Sequence, residues 1–279
     1  MNVIRAKTAG FCMGVSLALQ KLDSILHQKS RICTLGPIIH NPQVLATYEK
    51  HGVFCVQNPS ELKKGDHVVI RAHGIPRQEE AQARASGATV VDATCPRVKK
   101  AQISIARATR HDAMLLLFGE AEHPEVRGLI SYARGQALVF SNRAELETFG
   151  LAENQSYVLA SQTTQDRETF LHLERMLRER LLKLTVLSTI CDATRSRQKE
   201  AHDIAAMVDV MVVVGGRQSG NTRRLADVAA LSGIETILVE SADELDKKNF
   251  LEKTRAGLTA GASTPKSLID AAEIWLASL

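Results

Sequence analysis

Residues 31–52 (RICTLGPIIHNPQVLATYEKHG), 114–135 (MLLLFGEAEHPEVRGLISYARG) and 210–233 (VMVVVGGRQSGNTRRLADVAALSG) share one layout, and that layout decides the fold. Each opens with a short apolar run, passes a glycine and a polar loop, and continues into a helical pattern closed by glycine. Working outward, each is followed by a second short strand, at 53–56, 137–140 and 236–239. A capping-type helix start comes next: Pro59-Ser60-Glu61, Ser141-Asn142 with Glu145, and Ser241 with Glu244. A third strand then ends in small or polar residues, as VVIRAHG, YVLASQTT and GLTAGAST. The first two units close with a fourth strand ending at a cysteine, ATVVDATC at Cys95 and LTVLSTIC at Cys191. The third unit runs out of chain near Leu279. The N-terminal NVIRAKTAGFC, a strand ending at Cys12, is the expected missing piece.

The register supports one repeated unit. Cys12 to Cys95 is 83 positions, as are Gly36 to Gly119 and His40 to His123. Cys95 to Cys191 is 96 positions, as are Gly119 to Gly215 and His123 to Ser219. Unrelated cysteines have no reason to keep step with an independent glycine landmark. Strand–helix alternation with apolar, β-branched strands predicts an α/β fold of parallel sheets flanked by helices. The expectation is three small pseudo-threefold-related α/β domains around a shared centre. Their expected bounds are 13–95, 96–191, and 192–279 plus 1–12.

Composition narrows the function classes. A hydrophobic fraction of 44% and a charged fraction of 24% are those of an ordinary globular chain. Aromatic residues make up only 4%, which argues against stacking platforms for single-stranded nucleic acid. A net charge of +4 suits small anionic metabolites better than a nucleic-acid footprint. Arg5 and Lys7 interrupt the N-terminus before a signal sequence could form, and the apolar runs are too short to span a bilayer. A cytoplasmic protein without membrane contact is expected, with its five cysteines as free thiols or metal ligands rather than disulfides.

In parallel α/β units, ligand sites lie beyond the carboxyl ends of the strands. Cys12, Cys95 and Cys191 each stand where such a strand gives way to a helix, and three related units facing one axis would bring the thiols together. Taken singly, each reads as a small buried hydrophobe at a strand end. Kept in register, the three read as metal ligands. With no CxxC pair they suit an iron–sulfur cluster better than a structural zinc, and three ligands leave one iron open. Cys33 and Cys55, without counterparts in the other repeats, read as core residues. The loops at the same sheet ends carry His40-Asn41, His73-Gly74, His123-Pro124-Glu125, Gln162-Thr163-Thr164, Ser219-Gly220-Asn221 and Ser263-Thr264. Imidazole, hydroxyl and amide donors with few carboxylates suit an anion such as phosphate, aided by helix N-termini. Glu125 is the acid among them, placed to donate protons in a reductive step.

AGFCMGV, GPIIHNPQV, RAHGIP, DATCPRV, EHPEVRG, SQTT, TICDAT, GGRQSGNTRRL and TAGASTP, in this order over essentially the whole chain, resemble the 4-hydroxy-3-methylbut-2-enyl diphosphate reductase family. The resemblance implies a three-lobed α/β fold with a central [4Fe–4S] cluster on Cys12, Cys95 and Cys191. It implies a diphosphate pocket lined by His40, His73, His123, Ser219, Asn221 and Ser263, with Glu125 relaying protons and Thr163 holding the substrate hydroxyl. The implied reaction is the reductive dehydroxylation of an allylic diphosphate to isopentenyl and dimethylallyl diphosphate. A ferredoxin or flavodoxin would supply electrons, since no flavin or nicotinamide motif is present, and the chain would act as a monomer. Gly220 departs from the family, which often has a second serine there, and so does Arg195. Two rival readings stand beside this one: a three-cysteine dehydratase of the quinolinate synthase type, and a non-catalytic metal or redox protein.

Overall fold

The computed structural model describes all 279 residues, Met1–Leu279. Its twelve strands are β1 (Asn2–Arg5), β2 (Ile32–Leu35), β3 (Val53–Val56), β4 (His67–Ile70), β5 (Thr89–Asp92), β6 (Met114–Phe118), β7 (Ala137–Phe140), β8 (Ser156–Ser161), β9 (Lys183–Val186), β10 (Val210–Val214), β11 (Glu235–Val239) and β12 (Arg255–Ala260). The helices are α1 (Met13–Asp23), α2 (Pro42–Lys50), α3 (Arg77–Ala85), α4 (Pro96–Ala108), α5 (Pro124–Ile130), α6 (Arg143–Glu147), α7 (Arg167–Arg180), α8 (Asp192–Ala205), α9 (Gly220–Ala230) and α10 (Lys266–Ala277).

The strands form three four-stranded sheets, ordered β3-β2-β4-β5, β7-β6-β8-β9 and β11-β10-β12-β1, with every pairing parallel. Each therefore reads second, first, third, fourth within its repeat. In the third sheet the fourth place belongs to β1, with Asn2 opposite Arg255 and Arg5 opposite Leu258. The α/β class, the parallel sheets and the N-terminal closing strand are those expected from the repeat. Of the three capping-type turns only the second leads into a helix, α6; the others are single 3-10 turns at Pro59–Glu61 and Ala242–Glu244.

Central strands are buried on both faces, so their side chains divide by the twofold period of a strand. Val210, Val212 and Val214 pack with Ile269, Ala272 and Leu276 of α10, while Met211 and Val213 pack with Ala201 and Ala205 of α8 and Leu225 of α9. In the second sheet, Leu116 and Phe118 meet Phe170, Leu173 and Leu177 of α7, and Leu115 and Leu117 meet Ala101 and Ile105 of α4 and Val126 and Leu129 of α5.

The chain divides into two compact units. One comprises Met1–Ser16, Ile39–Tyr48 and Asp192–Leu279 and holds the third sheet. The other comprises Leu17–Ile38 and Glu49–Cys191 and holds the first and second sheets. Residues 39–48 thus go with the third sheet, although the repeat groups them with the first. Their attachment is polar: Ser263 Oγ donates to the His40 carbonyl at 3.1 Å, and Gln43 Nε2 to the Glu240 carbonyl at 3.4 Å. Gly216 permits it, because a Cβ there would lie 2.8 Å from the His40 carbonyl oxygen.

Strand β1 is held to β12 on alternate residues, with the amides of Asn2 and Ala6 donating to the carbonyls of Thr254 and Leu258 at 3.0 and 2.8 Å. By the same alternation the Ile4 amide faces β12. Ile4→Pro should cost about 1–3 kcal/mol, the penalty of an unmet buried backbone group, read as a lower urea midpoint. An unchanged midpoint would mean that β1 does not close the sheet.

Candidate active site

The three cysteines occupy equivalent places in the three sheets. Each lies past its closing strand, and its amide donates to a carbonyl of the loop that leaves the third strand. Cys95 N–H donates to Ala72 at 2.9 Å, Cys191 N–H to Thr163 at 2.9 Å, and Cys12 N–H to Ala262 at 3.1 Å. Those loops carry His73, Thr163-Thr164 and Ser263-Thr264. Each cysteine is also followed directly by a helix: α1, α4 or α8. The carbonyls of Cys12 and Cys95 accept the first helical bonds, from Ser16 and Lys99, both at 2.9 Å. Val15 N–H points at Cys12 Sγ from 3.5 Å.

All five cysteines are free thiols; Cys12, Cys95 and Cys191 are partly exposed and Cys33 is buried. Cys55 is exposed, contrary to the core placement expected for it. Strand β3 is an edge strand whose Val53 and Val56 are buried while Phe54 and Cys55 are not. A short apolar run does not reveal which of its residues leave the core.

In the second unit Glu125 and Thr163 are joined directly. Glu125, in the first turn of α5, is only 1% exposed. Its Oε1 accepts the Thr163 N–H at 2.6 Å and its Oε2 the Thr163 hydroxyl at 2.9 Å. The Thr163 carbonyl in turn accepts the Cys191 amide. The carboxyl group, the hydroxyl and the cysteine backbone thus form one continuous chain. Beneath it, Thr189 Oγ1 accepts the Ser161 amide at 2.8 Å and donates to the Ser161 carbonyl at 2.7 Å, fixing the end of β8. His123 caps α5: its Nδ1 accepts the Glu125 N–H at 3.1 Å, which leaves the proton of the neutral ring on Nε2. The His73 ring stands edge-on to it, with centroids 5.5 Å apart.

In the first unit the donors surround the carboxyl ends of β10 and β12. Ser219 caps α9, its Oγ accepting the Thr222 N–H at 3.3 Å, and Gly220 and Asn221 form the buried first turn. Asn221 Nδ2 and Asn41 Nδ2 are buried without a hydrogen-bond partner. Such groups are costly unless something accepts from them, and an anion would do so. Gly220 brings a backbone amide but no hydroxyl. The expected residues are therefore grouped by unit: His40, Ser219, Gly220, Asn221 and Ser263 with Cys12 in the first, and His73, His123, Glu125 and Thr163 with Cys95 and Cys191 in the second.

Sequence reasoning missed two anchors of the Cys12 loop, both on α8. Arg197, buried at 5% exposure, donates from Nη2 to the Gly10 carbonyl at 2.5 Å. Glu200 accepts from the amides of Lys7 and Thr8 and from the Thr8 hydroxyl at 2.8, 2.8 and 2.5 Å. In sequence both belong to a polar helical stretch that looks like a solvated face. Burial pushes the Glu200 carboxyl up, but the bonds from Thr8 and Lys7 outweigh it, and the net value lies below the ordinary one.

A depressed folded value means stability that is present above the unfolded pKa of about 4.3 and lost as pH falls through the folded value. Glu200→Gln should therefore destabilise by about 1–3 kcal/mol at pH 6, toward the low end because the group is partly exposed. The gap from the parent should shrink below about pH 4. Urea unfolding at both pH values measures this, and a gap that does not change with pH would contradict it.

Three comparisons with known proteins bear on this arrangement. The model of the LytB protein family matches residues 3–276. The 4-hydroxy-3-methylbut-2-enyl diphosphate reductase of Desulfovibrio desulfuricans is 69% identical over 286 residues, and that of Nitratidesulfovibrio vulgaris strain Miyazaki F is 57% identical over 281, with both chains fully covered in each case. The structure of (E)-4-hydroxy-3-methyl-but-2-enyl diphosphate reductase, the terminal enzyme of the non-mevalonate pathway, is similar at a TM-score of 0.72 and 36% identity, covering 100% of this chain and 99% of the other. That of the E-1-hydroxy-2-methyl-but-2-enyl-4-diphosphate reductase of Plasmodium falciparum is similar at a TM-score of 0.92 and 25% identity, covering 96% and 86%.

Proposed function

The chain belongs to the LytB protein family, and from that premise we propose that it is a 4-hydroxy-3-methylbut-2-enyl diphosphate reductase. The reaction takes the allylic alcohol, two electrons and two protons to water and isopentenyl or dimethylallyl diphosphate. The observation that carries this reading is the bonded chain from Glu125 through Thr163 to the Cys191 backbone. It ties a buried acid and a hydroxyl to the backbone of a candidate ligand.

Cys12, Cys95 and Cys191 are proposed as the ligands of a [4Fe–4S] cluster. The donor set supports this: three thiols outside any disulfide, each with its backbone fixed at a strand end and a helix following. When bound, such a cluster supplies electrons and an iron open to a substrate oxygen. In the same reading residues 13–95, 96–191, and 192–279 with 1–12 act as three lobes around it.

The protein's own groups supply binding and protons. Ser219, Asn221 and Ser263, with the Gly220 amide, bind the diphosphate, helped by His40, His73 and the Nε2–H of His123. The Thr163 hydroxyl donates to Glu125 Oε2, which leaves its lone pairs to accept from the substrate hydroxyl. When Glu125 carries a proton the pair reverses: its carboxyl O–H donates to Thr163 Oγ1 while the Thr163 hydroxyl passes its own proton to the departing oxygen, which leaves as water. Burial of the carboxyl excludes bulk water, so protons arrive by this route. Electrons come from a ferredoxin or flavodoxin, and the enzyme works as a monomer. No helix is long and apolar enough to cross a membrane.

Glu125→Gln should lower turnover by about 10²–10⁴-fold, the usual worth of a positioned acid, with iron and sulfide content unchanged. Assay of anaerobically prepared protein with a competent reductant measures this, and unimpaired turnover would clear Glu125 of the role. Cys95→Ser should lose iron where Cys33→Ser keeps it; the reverse pattern would mean that the ligands are wrongly assigned.

A further inference from the structure

Within the second unit, a cavity of about 230 Å³ opens at the carboxyl ends of β2 and β4, flanked by α3 and α5. Its walls include Gly36, Gln57, Arg71, Glu79, Pro124 and Arg127, and none of the cysteines, histidines or hydroxyls of the candidate active site. It is smaller than the sites of drug-sized ligands, which run to about 300–1,000 Å³, and of a size for a small ion.

Arg71 dominates the floor. Its Nε donates to the Gly74 carbonyl at 3.3 Å, so the guanidinium is held by the loop that carries His73. It pairs with no carboxylate. Glu79, whose charge reaches it, is engaged instead by Arg127, at a loose 3.5 Å. Burial, the largest influence, holds the Arg71 guanidinium below its ordinary value. Gly36 makes room for the group, since a Cβ there would lie 2.2 Å from Arg71 Nη1. Two arginines against one glutamate leave the cavity with a net positive charge. A partly buried guanidinium without a carboxylate is costly unless an anion completes it, and its planar fork matches phosphate oxygens.

We propose that this cavity is a second anion site, taking a small phosphate-class group between Arg71 and Arg127, with the Gln57 amide at its mouth. Free phosphate and the terminal phosphate of a prenyl diphosphate share this chemistry. An occupant would pull on the Arg71–Gly74 loop and so on the placement of His73. The site itself does not rest on the reductase reading, and loss of turnover with unchanged phosphate binding would bear on that reading alone.

Equilibrium dialysis of the anaerobically prepared full-length protein against radiolabelled inorganic phosphate, at fixed ionic strength, tests the site. Arg71→Met should weaken one class of bound phosphate by about tenfold or more, as loss of a charged partner predicts. Arg127→Gln, at the exposed rim where folding is not at stake, should weaken the same class several-fold. Adding dimethylallyl diphosphate separates the two sources. Displacement of the Arg71-dependent phosphate makes a prenyl diphosphate the occupant, and its retention makes free phosphate the occupant. Identical binding curves for the parent and Arg127→Gln, or for the parent and a folded Arg71→Met, would overturn the proposal.

Discussion

The hydrogen bond from each cysteine amide to the loop leaving the neighbouring third strand is the contact on which the rest depends. It occurs three times, to Ala72, Thr163 and Ala262, at 2.9–3.1 Å. A parallel sheet makes it available, because strands running together end together and deliver their loops to one edge. Fixing the amide fixes the Cα, and the helix that follows limits where the thiol points. The same loops carry His73, Thr163 and Ser263, so a cysteine and a polar group are positioned by one bond. This is why the third sheet needs a closing strand, the place that β1 fills.

Around that frame the two units are built differently. In the second, a carboxylate is gripped by both the amide and the hydroxyl of one threonine, and the energetic interest lies in a buried acid with fixed partners. In the first, amide groups of Asn41 and Asn221 are buried without acceptors, and the Cys12 loop is pinned by charged side chains of α8. One arrangement presents a buried acid; the other is short of negative charge. Reductive loss of a hydroxyl from a phosphorylated molecule calls for both. Full-length similarity to the LytB family sets aside the three-cysteine dehydratase as a rival.

Much of this was legible in the sequence because the repeat is covalent information. The shared spacing of Cys12, Cys95 and Cys191 with Gly36, Gly119 and Gly215 exposed the three repeated units, and the closing strand missing from the third pointed to β1. What was not legible depends on contacts between distant residues. Nothing local marks residues 39–48 as partners of the third sheet, since the bond from Ser263 to the His40 carbonyl spans 223 positions. Cys55 was misplaced because a four-residue edge strand is too short for its two faces to be told apart. Arg197 and Glu200 were passed over because a helix rich in charge reads as solvated until its partners are seen.

The central claim is that three widely separated thiols serve one cluster with an open iron. Iron and acid-labile sulfide analysis of anaerobically purified protein tests it most directly. The account predicts about four irons and four sulfides per chain, both lost in Cys12→Ser although that residue lies far in sequence from the other two. A colourless protein containing zinc and no sulfide, or one whose iron survives that substitution, would contradict it.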